Sequence, residues 1–126
     1  MDSENIFVNF SNHPSDMWSK EQLEAAKEYG RVVDIPFPAV EGAASTEDVI
    51  EQAGPYIEQI VALTPKAVMC QGEFTLAVYV ISSLIKRGIP VVAACSERNV
   101  INEERDGELK KTVIFRFIKF REYAVV

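Results

Sequence analysis

The sequence predicts an α/β protein of Rossmann-like, flavodoxin-type design: a mostly parallel sheet with a C-terminal antiparallel hairpin. Three observations predict it. Short apolar and β-branched runs alternate with stretches of helical spacing. The last run of that series, IPVVAAC over Ile89–Cys95, carries no charge, which suits a parallel strand covered on both faces. Asp106-Gly107 then signals a hairpin turn. Such alternation implies right-handed crossovers with helices on both faces.

Each element has its own warrant. Ile6–Phe10 (IFVNF) reads as the first strand and stops in the turn formers Ser11–Ser15. Ser19 precedes Gln22 at capping-box spacing and starts a helix over Lys20–Tyr29, with Leu23, Ala26 and Tyr29 on one face. Gly30 is expected to end it in a left-handed conformation. Arg31–Ile35 is a second strand, stopped by Pro36 and Pro38, which remove ladder donors. A loop over Pro38–Ser45 leads to a second helix capped by Ser45 or Thr46, with Glu47 and Asp48 at its positive end. Val49, Ala53, Ile57 and Ile60 carry its buried stripe, and Gly54-Pro55 is expected to kink or split it. Lys66–Cys70 is the third strand, Gln71-Gly72-Glu73 a turn, and Phe74–Arg87 a third helix closed by Gly88. Ile89–Cys95 is the fourth strand. A weak strand near Val100–Asn102 precedes the hairpin turn, and Thr112–Phe120 (TVIFRFIKF) is a strong aromatic and β-branched strand after it.

The 126 residues suffice for one core, hence a single domain over 1–126. Hydrophobic residues at 48% and charged residues at 25% exclude a disordered chain. A net charge of −6 argues against coating long nucleic acid, which needs a dense Lys/Arg face, but permits a small anionic ligand held by a few donors. Leu76–Ile85 is too short for a membrane span and contains Ser82 and Ser83, so no membrane partner is expected. Asp2 and Glu4 replace the basic start of a leader peptide. Cys70 and Cys95 sit in apolar runs, as reduced thiols of a cytoplasmic protein do. No metal and no cofactor are expected, because neither cysteine has ligand-spaced neighbours.

In sheets of this design, ligands sit beyond the carboxyl ends of the strands at the switch point. That rule selects the loops after the first and third strands. Asn9, Ser11, Asn12 and His13 offer amide, hydroxyl and imidazole groups just ahead of a helix N-terminus, a setting that can hold phosphate. His13, the sole histidine, can act as acid or base; the plainer reading is a solvated turn. In the second loop Gly72 would let a ligand approach the backbone, Gln71 would read a base edge, and Phe74 and Thr75 would follow in the first helical turn. Glu73 can bind a ribose or act as a base, or simply serve the helix dipole. After the fourth strand, Ser96 and Arg98 form a third group, with Arg98 either a phosphate clamp or a surface ion-pair partner of Glu97 or Glu103. Trp18 can stack on a base or act as a core residue. Arg116, Lys119 and Arg121 among Phe115, Phe117 and Phe120 suggest a nucleic-acid face or, more simply, a charged edge strand that buries one side in a dimer.

The first strand running into Asn9-Phe10-Ser11 and then His13-Pro14 resembles the opening of small stand-alone CRISPR-associated proteins of the ring-nuclease-like group, which belong with the CARF (CRISPR-associated Rossmann fold) domains. That resemblance implies a homodimer binding a cyclic oligoadenylate of type III CRISPR signalling across its two-fold axis. It also implies metal-independent cleavage by a ribose 2′-hydroxyl. The catalytic candidates are Ser11, His13 and Glu73: His13 as acid or base on this reading, and Glu73 as base or nucleophile if the chain is instead a nucleoside-processing enzyme. The ligand-binding candidates are Asn9, Ser11, Asn12, His13, Gln71, Gly72, Glu73, Phe74, Thr75, Ser96 and Arg98. Two other readings stay open: a flavodoxin-like nucleotide- or nucleoside-processing hydrolase or transferase, and a non-enzymatic module that dimerises through the Phe115–Phe120 strand.

Overall fold

The computed structural model describes residues 4–126. Asp2, half of the leader-peptide argument, lies outside them. The strands are β1 (Ile6–Ser11), β2 (Arg31–Pro36), β3 (Ala67–Gln71), β4 (Val91–Arg105) and β5 (Glu108–Glu122); the helices are α1 (Lys20–Tyr29), α2 (Thr46–Ala62) and α3 (Phe74–Lys86). The sheet order is β2-β1-β3-β4-β5, with β5 antiparallel to β4 and the other pairs parallel. This is the flavodoxin-type order, in which the chain leaves β1 in opposite directions toward β2 and β3. Among the described residues no helix is long and apolar enough to cross a membrane.

Period-two alternation along the strands divides the core. Val8, Phe10, Val68, Cys70 and Val91 face α2 and α3. Phe7, Met69 and Val92 face the other way, under Trp18, Ala26 and Phe120. Of the three α-helices only α1 covers that second side, preceded by a 3-10 turn over Ser15–Met17, and the rings of Phe7, Tyr29 and Phe120 complete the cover.

Local chemistry sets the helix ends. Ser19 accepts from the Gln22 N–H, and Ser45 with Asp48 closes a reciprocal capping box. Gly30 does not take the left-handed cap conformation. Its φ of 159° and ψ of −167° are nearly extended, and a Cβ there would lie 2.4 Å from the Asn5 carbonyl, so close backbone contact is what demands glycine. Gly54-Pro55 does not split α2, which runs unbroken through Pro55. Proline removes the bond to the Glu51 carbonyl on the exposed side, where water can replace it, and Gly54 has no Cβ to clash with the ring.

The largest departure lies in β4. Ser96–Asn99 is not a loop and Val100–Asn102 is not a separate strand; both belong to one strand that ends at Arg105. β4 pairs with β3 only at Val91 and Val92, then continues with β5 alone to the Asp106-Gly107 turn, where φ is 54° and 79°. Two positive φ values match the twist a tight hairpin needs. The ladder shifts register between Cys95 and Ser96, so Ile118 lacks a β4 partner and bulges. Past that bulge the two strands form a free-standing ribbon.

Candidate functional site

The loop after β1 is held from beneath. Asn9 and Ser11 are 1% and 4% exposed. Asn9 Nδ2 donates to Asp34 Oδ1 at 2.9 Å and to the His13 carbonyl at 2.8 Å. Ser11 Oγ donates to Asn9 Oδ1 at 2.6 Å and accepts from the His13 N–H at 3.1 Å. Asp34 also accepts from the Ser15 hydroxyl and N–H, which ties β2 to the same loop. Trp18 Nε1 donates to the His13 carbonyl at 2.9 Å. His13 is thus clamped by its backbone while its side chain stays exposed. Asn9 and Ser11 shape the loop and border a recess of ≈ 150 Å³ on the Asp34 side.

That clamped loop forms one wall of a larger cavity of ≈ 720 Å³ on the α1 side, at the carboxyl ends of β1, β3 and β4. Asn12, His13 and Trp18 line it on one side, Met69 and Gln71 from β3 form its floor, and Ala94, Ser96, Phe115 and Phe117 form the ribbon side. Ser19 and Gln22 bring the first turn of α1 to its edge, and no Asp, Glu, Lys or Arg is among the lining residues. Gln71 spans the gap where β4 parts from β3: its Oε1 accepts from the Ala94 N–H at 2.6 Å, and its side chain also lines the cavity.

Of the expected residues, this cavity gathers Asn12, His13, Gln71 and Ser96, with Asn9 and Ser11 behind them. Others fall elsewhere. Glu73 caps α3: its carboxylate accepts from the Thr75 hydroxyl at 2.6 Å and the Leu76 N–H at 2.9 Å. Those bonds, the Thr75 hydroxyl first, hold its carboxyl below the usual range, which suits a cap and weakens a base. The space a Gly72 side chain would take belongs to Phe37, three of whose ring atoms lie 2.6 Å from an ideal Cβ. The glycine therefore makes room for a ring of the protein's own core. Phe74 projects into solvent at 84% exposure, and Thr75 borders a separate groove of ≈ 450 Å³ between α2 and α3. Arg98 sits on the ribbon, directly opposite Phe115, outside the cavity lining.

Met17, Ser19, Gln22, Met69, Phe115 and Phe117 were not among the expected site residues. The two phenylalanines carried a signal, the aromatic-basic run that ends in Arg121, but only the antiparallel pairing of β5 with β4 shows that they reach the cavity. Burial pushes the Cys70 thiol up to about 12, which makes it inert as a nucleophile near neutral pH. Tyr123 donates to the Cys70 carbonyl at 2.7 Å, and burial raises its own pKa. Among the described residues no three His, Cys, Asp or Glu side chains come together as a metal site.

No curated protein matches the chain. A family model described as "Uncharacterized protein MJ1673 family" matches residues 5–121, and the chain belongs to that family.

Proposed function

We propose that the chain binds a cyclic oligoadenylate in the His13–Gln71–Phe117 cavity, as a homodimeric cytoplasmic component of type III CRISPR signalling, and linearises it without a metal. One observation carries the reading: an aromatic-walled cavity free of Asp, Glu, Lys and Arg lies where a flavodoxin-type sheet presents its ligands. Phe115 and Phe117 offer ring surface for a base, and stacking of this kind contributes about 1–3 kcal/mol per base, while Trp18, expected to stack on a base or to serve the core, is buried in the core beside the cavity. Gln71 Nε2 supplies a donor for an adenine ring nitrogen. No cation lines the cavity, so phosphate contacts fall to Asn12, Ser19, Ser96 and the backbone N–H groups opening α1.

The chemistry asks little of the protein. A ribose 2′-hydroxyl attacks the adjacent phosphorus, the P–O2′ bond forms and the P–O5′ bond breaks. His13 takes the 2′ proton and returns it to the departing 5′ oxygen. The product is a linear chain with a 2′,3′-cyclic phosphate and a 5′-hydroxyl. Holding the attacking oxygen in line supplies most of the acceleration.

Trp18 is the single tryptophan, so its emission reports the cavity directly. Titration with cyclic tetra- and hexa-adenylate should quench it to saturation for one ring size. Chromatography of the same mixture should show the linear product, and His13→Ala should bind but not cleave. Unchanged emission with both rings refutes the binding; binding without product in the wild type refutes the cleavage.

A further inference from the structure

The outer half of the β4–β5 ribbon has no cover among the described residues, although it is far from a solvated strand pair. Directly paired residues of an antiparallel ladder share a face, and the face alternates along each strand. Ser96 and Phe117 are one such pair and both line the cavity. Moving outward on that face, the next rows are Arg98 with Phe115, Val100 with Val113, Asn102 with Lys111, and Glu104 with Leu109. Phe115 and Leu109 are each 71% exposed, Val100 48% and Val113 42%. A two-stranded ribbon is marginal in water on its own, and an apolar strip of this kind marks a contact surface.

The charges on the strip say what the contact is. Arg98 and Glu104 lie on this face, and among the described residues neither has an ion-pair partner. Six residues of strand hold them about 20 Å apart, so they cannot pair within one copy. The Arg98–Phe115 and Glu104–Leu109 rows are complementary to one another. Placing a second ribbon face to face and antiparallel, with the two-fold axis midway between the Val100 and Asn102 rows, sets each Arg98 against the other copy's Glu104. The same operation sets each Phe115 against the other Leu109, Val100 against the other Asn102, and the Val113 side chain against the aliphatic stem of Lys111. It also carries the Asp106-Gly107 turn of each copy over the Ser96–Phe117 row of the other, at the mouth of the cavity.

We infer that this face of the ribbon is the dimer interface, that its occupant is a second copy of the chain, and that each copy's hairpin turn closes the other's cavity. The interface is isologous, so it closes at two copies. Edge-to-edge pairing of two β5 strands is the poorer alternative, since β5 carries Lys110, Lys111, Arg116, Lys119 and Arg121 along its length. The inference deepens the pairing that the proposed function requires, but its test contains no nucleotide, so either can fail without the other.

The test is sedimentation velocity on the full chain across a concentration series. The wild type should be a dimer. Arg98→Glu alone and Glu104→Arg alone should each weaken dimerisation at least about tenfold, because each places two like-charge contacts in the interface. R98E combined with E104R should restore the dimer, since the pair is only exchanged. Far-UV circular dichroism should be the same for all four proteins, as these side chains are exposed. A wild type that is monomeric at roughly 100 μM, a concentration that populates even weak dimers, overturns the inference. So does a single variant that dimerises like the wild type, or a double variant that stays monomeric.

Discussion

Replacing Gly72 with alanine separates two explanations of that glycine. The added Cβ would lie 2.6 Å from three ring atoms of Phe37, well inside contact distance. Phe37 is 6% exposed and its ring is 4.7 Å from that of Phe10, so it cannot retreat without disturbing the core between β1 and α2. Overpacking of this kind costs about 1–3 kcal/mol. With an unfolding entropy near 2.1 cal/mol/K per residue, the melting temperature should fall by roughly 4–11 °C. Urea unfolding followed by circular dichroism measures the free-energy change directly. Phe37→Leu should relieve part of the clash, so the double variant should lose less than the two single losses combined. A Gly72→Ala protein as stable as the wild type would refute this account of the position. If that protein also lost ligand affinity, the glycine would be there for ligand approach.

Asn9→Ala leaves the Asp34 carboxylate and the His13 carbonyl short of a donor, and should cost about 1–3 kcal/mol. Hydrogen exchange should show the amides of residues 12–18 opening faster while those of α2 and α3 keep their protection. The lowered pKa of Glu73 favours folding above the ordinary carboxylate value of 4.5, and that contribution disappears as pH falls through the lower folded value. The melting temperatures of wild type and Glu73→Ala should therefore differ steadily at neutral pH and converge in acid. A gap that stays as wide throughout the acid range as at neutral pH would contradict the capping role. Cys70, with its thiol raised to about 12, should resist a disulfide reagent in the native protein and react once urea unfolds it.

The chain's own pattern shows most of the frame. Alternating runs, the Ser19 and Ser45 caps and the Asp106-Gly107 turn place all but one strand boundary within a few residues. What stayed hidden depends on partners distant in sequence. Ser96–Arg105 is polar because both faces of the ribbon are open, so it lacks the alternation that marks a half-buried strand; only its ladder to Thr112–Phe117 makes it one. The site was legible as a position and less so as a residue list. His13, Asn12, Gln71 and Ser96 meet because the fold brings the carboxyl ends of β1, β3 and β4 together. Gly72 and Glu73 sit on the same edge for local reasons, a ring contact and a helix cap, and no spacing rule distinguishes these from ligand contacts. Phe115 and Phe117 reach the cavity because β5 pairs antiparallel with β4 beside β3, which sets them in one lining with Gln71, more than forty residues away in sequence.

Thermal unfolding in the presence of nucleotides tests the central claim most directly. A ligand that binds only the folded chain stabilises it by about 2.7 kcal/mol at a hundredfold excess over its dissociation constant. For a chain of this length that raises the melting temperature by roughly 10 °C. The cavity account predicts such a rise, increasing with concentration, for one cyclic oligoadenylate and not for mononucleotides or cyclic dinucleotides. An unchanged melting temperature with cyclic tetra- and hexa-adenylate far above micromolar concentration would contradict it.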